Sequence, residues 1–255
     1  PACLVGNNHH QSPIEGEDIQ IFERDLPGEN KAGLSGQAVS RLPLETCQTM
    51  NGMWGYKIID QNYKSTETLI RYLVSTSGKG ANLLLNVGPQ PNGKIPAAAL
   101  DRLREIGEWT SRYGETIYGT VAGDIPVQEW GVTTRKGNRL FVHIFDHQEK
   151  SLTLPLQSKV KKAFVYDTKQ TLKTKRTEDG ITIFFDEVPS GTATFPSVIA
   201  FRNFIFSVSA IRLISPPIRV SSVKCNNSPC ASTRKAPFKA AFKFIKRIRF
   251  KSPSA

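Results

Sequence analysis

The chain has 255 residues, of which 39% are apolar, and four cysteines. This length suits one large domain or two small ones, and the apolar fraction is too high for a disordered chain. Four cysteines exclude a disulfide-dense scaffold, and Cys3 and Cys47, set in apolar runs, are expected to be buried thiols. The sequence has no run of about 20 uncharged apolar residues, so no membrane-spanning helix is predicted.

The net charge of +12 is concentrated at one end of the chain. Residues 1–198 carry 22 basic and 22 acidic side chains, whereas residues 199–255 carry 12 basic and no acidic ones. The near-neutral body argues against a nucleic-acid partner, since such binding depends on neutralising phosphates. The basic tail is predicted to be non-native or disordered. The alternative is an amphipathic helix over 238–250 that would bind an anionic membrane or an acidic partner.

The first 120 residues have the pattern of βα units. Four short strands are expected, each followed by turn residues: 2–6, 19–23, 42–47 and 81–87. One helix is expected after the N-cap Ser65, and a second from Pro96 to Gly114. The strand over 81–87 is almost continuously apolar, which is typical of a strand covered on both faces of a parallel sheet.

After residue 120 the pattern changes to short alternating runs. Five strands are expected there: 127–130, 140–145, 151–156, 163–166 and 181–185. This spacing is typical of an antiparallel β-sandwich. The predicted fold class is therefore α/β plus all-β. It has a βα part over 1–120, a β-sandwich over 121–198 and the basic tail over 199–255.

Polar and aromatic side chains follow the predicted strands of the βα part. His9 and His10 follow the first strand, and Glu23 ends the second. Glu45 lies late in the third strand, and Trp54 lies in the loop after it. In a βα barrel these positions share one rim. They suit sugar chemistry, because a carboxyl group can protonate a glycosidic oxygen and an indole can stack on a sugar.

Each of these candidates also has a structural interpretation. His9 and His10 are adjacent, so their side chains diverge, and without a third ligand they predict no metal site. Glu23 is flanked by other charges and is compatible with a surface position. Glu45 is compatible with a buried acid paired to an arginine, and Trp54 with a core position. No phosphate-binding glycine motif is present, and no cofactor is predicted.

Several ordered motifs in residues 1–198 resemble the α-L-fucosidases, glycoside hydrolase family 29. Four segments carry the resemblance: 22–28, 44–56, 82–95 and 107–119. The second of these, LETCQTMNGMWGY, resembles the family segment W-E-x-C…S-W-G-Y. It departs from that segment at Leu44, where the family has Trp, and at Met53, where the family has Ser.

The resemblance implies the C-terminal part of a (β/α) TIM-like barrel followed by a β-sandwich. It also implies a retaining exo-glycosidase that removes terminal α-L-fucose from glycans, using an aspartate nucleophile and a second carboxyl group as acid and base. By strand order, Glu23 is the first choice for the acid/base and Glu45 the alternative. Trp54 would pack on the fucose methyl group, and His9 or His10 would contact the substrate.

The family's nucleophile lies on an earlier barrel strand that has no counterpart in this sequence. The resemblance therefore predicts a fragment that is inactive alone, with a fucosylated glycan as its expected partner. Family members are often periplasmic, extracellular or lysosomal, but the compartment and the oligomeric state stay open here. The alternative is a non-catalytic carbohydrate-binding protein whose β-sandwich would hold glycans through Trp130.

Overall fold

The structure, a computed structural model, describes residues 3–8, 14–187 and 196–202. They form a four-stranded parallel sheet, two helices and an eight-stranded antiparallel sheet that curls around its own core. The α/β and all-β characters predicted for the two halves are both present. The helix expected over 238–250, and the basic tail beyond Arg202, lie outside the described residues.

The parallel sheet follows the chain order β1-β2-β3-β4. Its strands are β1 (Gly6–Asn7), β2 (Ile19–Glu23), β3 (Leu44–Thr49) and β4 (Ala81–Asn86). In register, Glu23 at the end of β2 pairs with Cys47, and Cys47 pairs with Leu84. The predicted strands match β2, β3 and β4 to within two residues, whereas the strand expected over 2–6 shares only Gly6 with β1. The carboxyl ends of all four strands lie at one edge of the sheet.

The two faces of this sheet are packed very differently. Phe22 and Thr46 are fully buried on the face that meets the helices, whereas Leu84 on the other face is 56% exposed. Because side chains alternate along a strand, the register places one set of residues together on the exposed side. This set, called the open face below, comprises Ile21, Glu23, Glu45, Cys47, Asn82 and Leu84.

The expectation that residues 81–87 are covered on both faces is wrong for the described structure. The face with Leu83 and Leu85 is partly buried, but Asn82 and Leu84 are exposed. Continuous apolar character predicted a strand of the parallel type correctly. Of the other residues of the open face, Ile21, Glu23, Glu45 and Cys47 are partly buried.

The helices α1 (Thr66–Gly78) and α2 (Ala97–Tyr113) begin and end close to the predicted positions. Ser65 caps α1 as expected, since its Oγ accepts the Thr68 N–H at 3.1 Å. Pro96 is the N-cap of α2 rather than its first helical residue. Neither helix, nor any other helix in the described ranges, is long and apolar enough to cross a bilayer.

The antiparallel sheet has the strand order β5-β6-β7-β12-β9-β10-β11-β8. Its strands are β5 (Val121–Ala122), β6 (Gly131–Lys136), β7 (Arg139–Ile144), β8 (Ser151–Leu154), β9 (Lys162–Val165), β10 (Thr171–Thr177), β11 (Gly180–Phe184) and β12 (Ser197–Arg202).

One predicted strand of this sheet is wrong, and three observed strands, β5, β10 and β12, were not predicted. Residues 127–130 form no strand and contribute only a bridge from Gln128 to Gly131, and the strand follows as β6. The strand β10 was not expected, because Leu172 is its single buried apolar residue among Lys, Arg and Thr. A strand with so few apolar side chains has no alternation to reveal it.

The antiparallel sheet is buried on both faces around β7 and β12. One face packs on the curled remainder of the sheet through Leu140, Val142, Ile199 and Phe201. The opposite face, which includes Phe141, Val198 and Ala200, packs against the helix residues Ile70, Val74, Trp109 and Tyr113. The helices therefore lie between the two sheets and fix the parallel sheet against the β-sandwich part.

One ionisable side chain is completely buried in this region. His143 on β7 is 0% exposed, its Nε2 lies 3.1 Å from Thr134 Oγ1, and its Nδ1 has no hydrogen-bond partner. Burial lowers the pKa of His143 from 6.5 to about 4, because a buried imidazolium loses its hydration. The folded chain therefore holds this ring neutral under mildly acidic conditions, whereas the unfolded chain does not.

We expect His143 to make folding weaken as the pH falls. Between the unfolded pKa of 6.5 and the folded pKa of about 4, the unfolded state binds the extra proton, so stability drops with pH. From pH 7 to pH 5 the loss from this group is about 2 kcal/mol. The free energy of unfolding of His143→Gln, measured with urea at several pH values, should lack this part of the pH dependence. The control His147→Gln should keep it, and an unchanged pH dependence in His143→Gln would contradict the expectation.

Candidate active site

Three polar side chains meet where the parallel strands end. Glu23, the last residue of β2, accepts the Trp54 Nε1–H at Oε1, 3.1 Å away. Its Oε2 accepts the side-chain amide of Asn8 at 2.9 Å. Asn8 follows β1, and Trp54 comes from the loop after β3. The ends of three neighbouring strands therefore converge on one carboxylate at the edge of the open face, as the rim prediction for Glu23 and Trp54 required.

The loop that carries Trp54 is held from two sides. Asn86, the last residue of β4, donates its side-chain amide to the Trp54 carbonyl at 2.8 Å. Arg24 donates from Nη2 to the Gly52 carbonyl at 2.9 Å, and its guanidinium carbon lies 5.4 Å from the Trp54 ring centroid. Such a cation–π contact favours one ring orientation. Trp54 is therefore fixed by its backbone, its ring face and its N–H.

Arg24 occupies an unusual backbone conformation. Its φ of +62° lies in the left-handed region, which costs a non-glycine residue roughly 1 kcal/mol or more. This conformation turns the chain sharply after Glu23, so that consecutive residues reach different groups. Glu23 lies on the open face, while Arg24 reaches back to Gly52 and Trp54.

Gly88 allows the Trp54 loop to approach the end of β4. A Cβ at Gly88 would lie 2.6 Å from the Tyr56 nitrogen and 2.7 Å from the Gly55 carbonyl carbon, both of them backbone atoms. Only glycine fits so close to another backbone. The resemblance assigned no role to Asn86 or Gly88, although both stand in the segment 82–95. The sequence signal that could have identified them is a polar residue and a glycine at the end of a predicted strand.

Glu45 lies on the same open face, two residues farther from the strand ends. It pairs in register with Ile21, which puts its Cα roughly 8 Å from that of Glu23. No hydrogen bond or ion pair joins it to another described residue, so the predicted arginine partner is not found among them. Burial raises the pKa of Glu45. Its carboxyl group therefore holds a proton more readily than an exposed glutamate does.

Cys47 lies on the same face as Glu23 and Glu45, and both carboxylates act on its thiol. Burial comes first among the causes that raise its pKa, and the charges of Glu23 and Glu45 both add to it. The thiol is half-buried, and Cys3 is exposed, so the expectation of a buried Cys3 is wrong. Cys3 lies in the short stretch before β1, where no described element covers it.

Other sequence candidates lie elsewhere. His9 and His10 fall outside the described residues. Trp130 is partly buried and packs against the core of the antiparallel sheet, which leaves it little free surface for stacking on a glycan. In the part of the chain that the structure describes, no three His, Cys, Asp or Glu side chains gather closely enough to hold a metal ion.

We expect Gly88→Ala to displace the Trp54 loop. The added methyl group meets backbone atoms that cannot rotate away, and such overpacking costs about 1–3 kcal/mol. In ¹⁵N-labelled protein, the Trp54 indole N–H resonance, assigned with Trp54→Phe, should shift or broaden as its bond to Glu23 is lost.

The matched control is Gly55→Ala in the same loop, where an added Cβ has nothing within 4 Å. It should leave the Trp54 resonance in place and change the free energy of unfolding by less than about 0.5 kcal/mol. Equal effects of the two substitutions would show that the close approach at Gly88 does not position Trp54.

Comparison with known proteins finds similarity to one family. Residues 1–115 match the family model described as alpha-L-fucosidase. The α-L-fucosidase of Dictyostelium discoideum is 35% identical over 107 residues, which are 40% of this chain and 23% of that protein. Human plasma α-L-fucosidase is 41% identical over 81 residues, 30% of this chain and 17% of the relative.

Solved structures agree over a longer stretch. α-L-Fucosidase isoenzyme 1 from Paenibacillus thiaminolyticus has a TM-score of 0.62 at 32% identity, covering 72% of this chain and 45% of the enzyme. The Thermotoga maritima α-fucosidase, in complex with a mechanism-based inhibitor, has a TM-score of 0.60 at 27% identity, covering 74% and 43%. The chain spans less than half the length of these relatives. The family model thus covers less than half of this chain, and the solved structures extend the likeness to the α-L-fucosidases of glycoside hydrolase family 29 over 72–74% of it.

Proposed function

We propose that this chain carries the acid/base side of a retaining α-L-fucosidase site that releases terminal α-L-fucose from glycans. The observation that carries the proposal is the position of Glu23. It ends a parallel strand, lies at the rim of the open face and accepts a hydrogen bond from Trp54. A rim carboxyl group beside an indole is suited to protonating a glycosidic oxygen while the sugar stacks alongside.

The proposal treats the parallel sheet and its helices, residues 1–120, as the C-terminal part of a (β/α) barrel. The open face is then the side that would point into the barrel. A complete barrel has eight parallel strands and fills its interior with side chains in layers. Leu84 lies in the middle of the edge strand β4 and is exposed, and such layers would bury a side chain of this kind. Residues 121–198, extended by β12 to Arg202, would form the C-terminal β-sandwich.

The proposal gives a separate role to each oxygen of Glu23, and the two hydrogen bonds of the carboxylate support it. Trp54 holds Oε1, so Oε2 is the oxygen that would carry the proton to the leaving group. Asn8, which is exposed, now donates to Oε2, and the glycosidic oxygen would take its place. After the fucosyl group is transferred to the nucleophile, the same oxygen would accept a proton from the attacking water.

The nucleophile must come from outside the four described strands. In a retaining glycosidase the two carboxyl groups are about 5–5.5 Å apart. None of the strands β1–β4 contains an aspartate, and Glu45, the other acid of the open face, is on the strand next to Glu23. We therefore propose that the chain alone does not hydrolyse fucosides.

Glu45 stays the competing choice for the acid/base. Burial raises its pKa, which helps a general acid to keep its proton. Against it, Glu45 lies two residues deeper than Glu23 and has no partner among the described residues that would aim it. Glu23 is aimed by two donors, and this preorganisation favours it.

We expect the chain by itself to release no p-nitrophenol from p-nitrophenyl α-L-fucoside above the rate in buffer. The Trp54 indole resonance, measured on the same sample, establishes that the site is formed. Turnover by the folded chain, lost in Glu23→Gln, would overturn the proposal that the nucleophile is missing.

A chimera tests the acid/base assignment. Residues 3–202 would replace the aligned segment of the Paenibacillus enzyme, whose remaining barrel strands would complete the site. Glu23→Gln should lower kcat/KM for substrates with poor leaving groups about 10²–10⁴-fold. It should affect activated aryl fucosides less, and azide should rescue part of their turnover. If Glu45→Gln shows this signature and Glu23→Gln does not, the two roles are exchanged.

A further inference from the structure

A second concave feature lies beside the proposed site. A cavity of about 450 Å³ opens between the loop that follows β2 and the start of α1. Its lining contains five charged residues: Arg24, Asp25, Glu29, Lys31 and Lys64. The glycosidase chemistry proposed above uses none of them, so their charges need an account of their own.

The two acidic residues of the cavity have partners of their own. Asp25 is 3% exposed, and its carboxylate accepts the backbone N–H groups of Lys31 and Ala32 at 3.0–3.1 Å. Glu29 pairs with Lys31 at 3.0 Å and with Lys79 at 3.6 Å. Among the described residues, neither carboxylate forms an ion pair with Arg24 or Lys64.

Arg24 and Lys64 are held only by neutral groups. Arg24 donates to the Gly52 carbonyl, and Lys64 Nζ donates to the carbonyls of Thr49 and Asn51 at 2.8 and 3.0 Å. No carboxylate of the described residues lies within ion-pair distance of either cation. Both side chains are half-buried, so water screens their charges incompletely.

Each of these cations has a donor to spare. Arg24 Nε is buried and has no hydrogen-bond partner, which leaves a costly unsatisfied N–H. Lys64 uses two of its three ammonium hydrogens. Burial and the nearby Arg24 guanidinium lower the pKa of Lys64, while the charge of Asp60 raises it. The lining therefore brings two cations to one space, and Lys64 keeps one ammonium hydrogen free of the protein contacts given above.

We propose that this cavity binds an oxyanion, the carboxylate or sulfate ester of an acidic sugar next to the fucose. Arg24 directly follows Glu23 in the chain and stacks on Trp54, which bonds to Glu23, so the proposal connects an anion bound here to the site at Glu23 through these two side chains. A guanidinium and an ammonium together are the donors that proteins use for carboxylate and sulfate-like groups. The identity of the ligand as a substrate rests on the proposed function, whereas the binding of an anion does not.

The test titrates the ¹⁵N-labelled chain with three probes at constant ionic strength: sodium sulfate, sodium glucuronate and the neutral methyl glucoside. The Arg24 Nε–H and Trp54 indole resonances report the cavity. Sulfate, glucuronate or both should shift them saturably, and methyl glucoside should not. Tighter binding of glucuronate indicates a carboxylated sugar, and tighter binding of sulfate indicates a sulfate ester.

Substitutions decide whether the cavity is responsible. Arg24→Gln and Lys64→Gln, followed through the Trp54 resonance, should each weaken the anion about tenfold or more. Lys57→Gln removes the same charge from an exposed position and should leave the affinity unchanged. Amide resonances of residues 131–202 establish that each variant is folded.

The proposal is overturned if no anion gives a saturable shift. It is also overturned if methyl glucoside shifts the signals equally, or if Lys57→Gln weakens binding as much as Arg24→Gln. Because the readout needs no turnover, an inactive chimera with a working anion site would refute the proposed function alone. An active chimera without anion binding would refute only this inference.

Discussion

One-sided burial of the parallel sheet is the constraint on which the rest of the structure depends. Phe22 and Thr46 are buried on the side of the sheet where Thr46 Oγ1 lies 3.0 Å from the Tyr72 hydroxyl of α1. Alternation along the strands then places Glu23, Glu45 and Cys47 together on the opposite face. The antiparallel sheet covers the other side of the helices. This packing fixes which face of the parallel sheet is buried. The arrangement of carboxyl groups is thus a consequence of core packing, not of contacts between the carboxyl groups themselves.

The rim, by contrast, is organised by polar contacts. Asn86 holds the Trp54 backbone, Arg24 holds its ring and the preceding Gly52, and the indole N–H ends on Glu23. The close approach at Gly88 adds a steric requirement. Since each contact comes from a different strand end, a small displacement of the Trp54 loop disturbs all of them. Hydrogen bonds of this kind contribute about 1 kcal/mol each, but together they fix one geometry.

The sequence predicted the features that depend on local pattern, and the site residues implied by the resemblance stay a prediction. The bounds of β2 and the Ser65 cap follow from alternation and capping chemistry, and both are observed. Contacts such as Trp54 with Glu23 join positions far apart in the chain, and no pattern of spacing specifies them. β10 was missed because its side chains are mostly polar. Arg24 was seen only as a charge beside Glu23, since neither its backbone conformation nor its cavity can be inferred from residue type.

The orientation of the proposed acid and the control of its protonation depend on different groups. Glu23 is aimed by Asn8 and Trp54, which belong to this chain, so its orientation needs no other strand. In a retaining glycosidase the charge on the nucleophile keeps the acid protonated until the fucosyl group is transferred. The strands β1–β4 supply no aspartate for that purpose. On the proposed assignment, this sheet holds Glu23 in a fixed orientation, while the charge that would alternate its protonation would come from the remaining strands of a barrel.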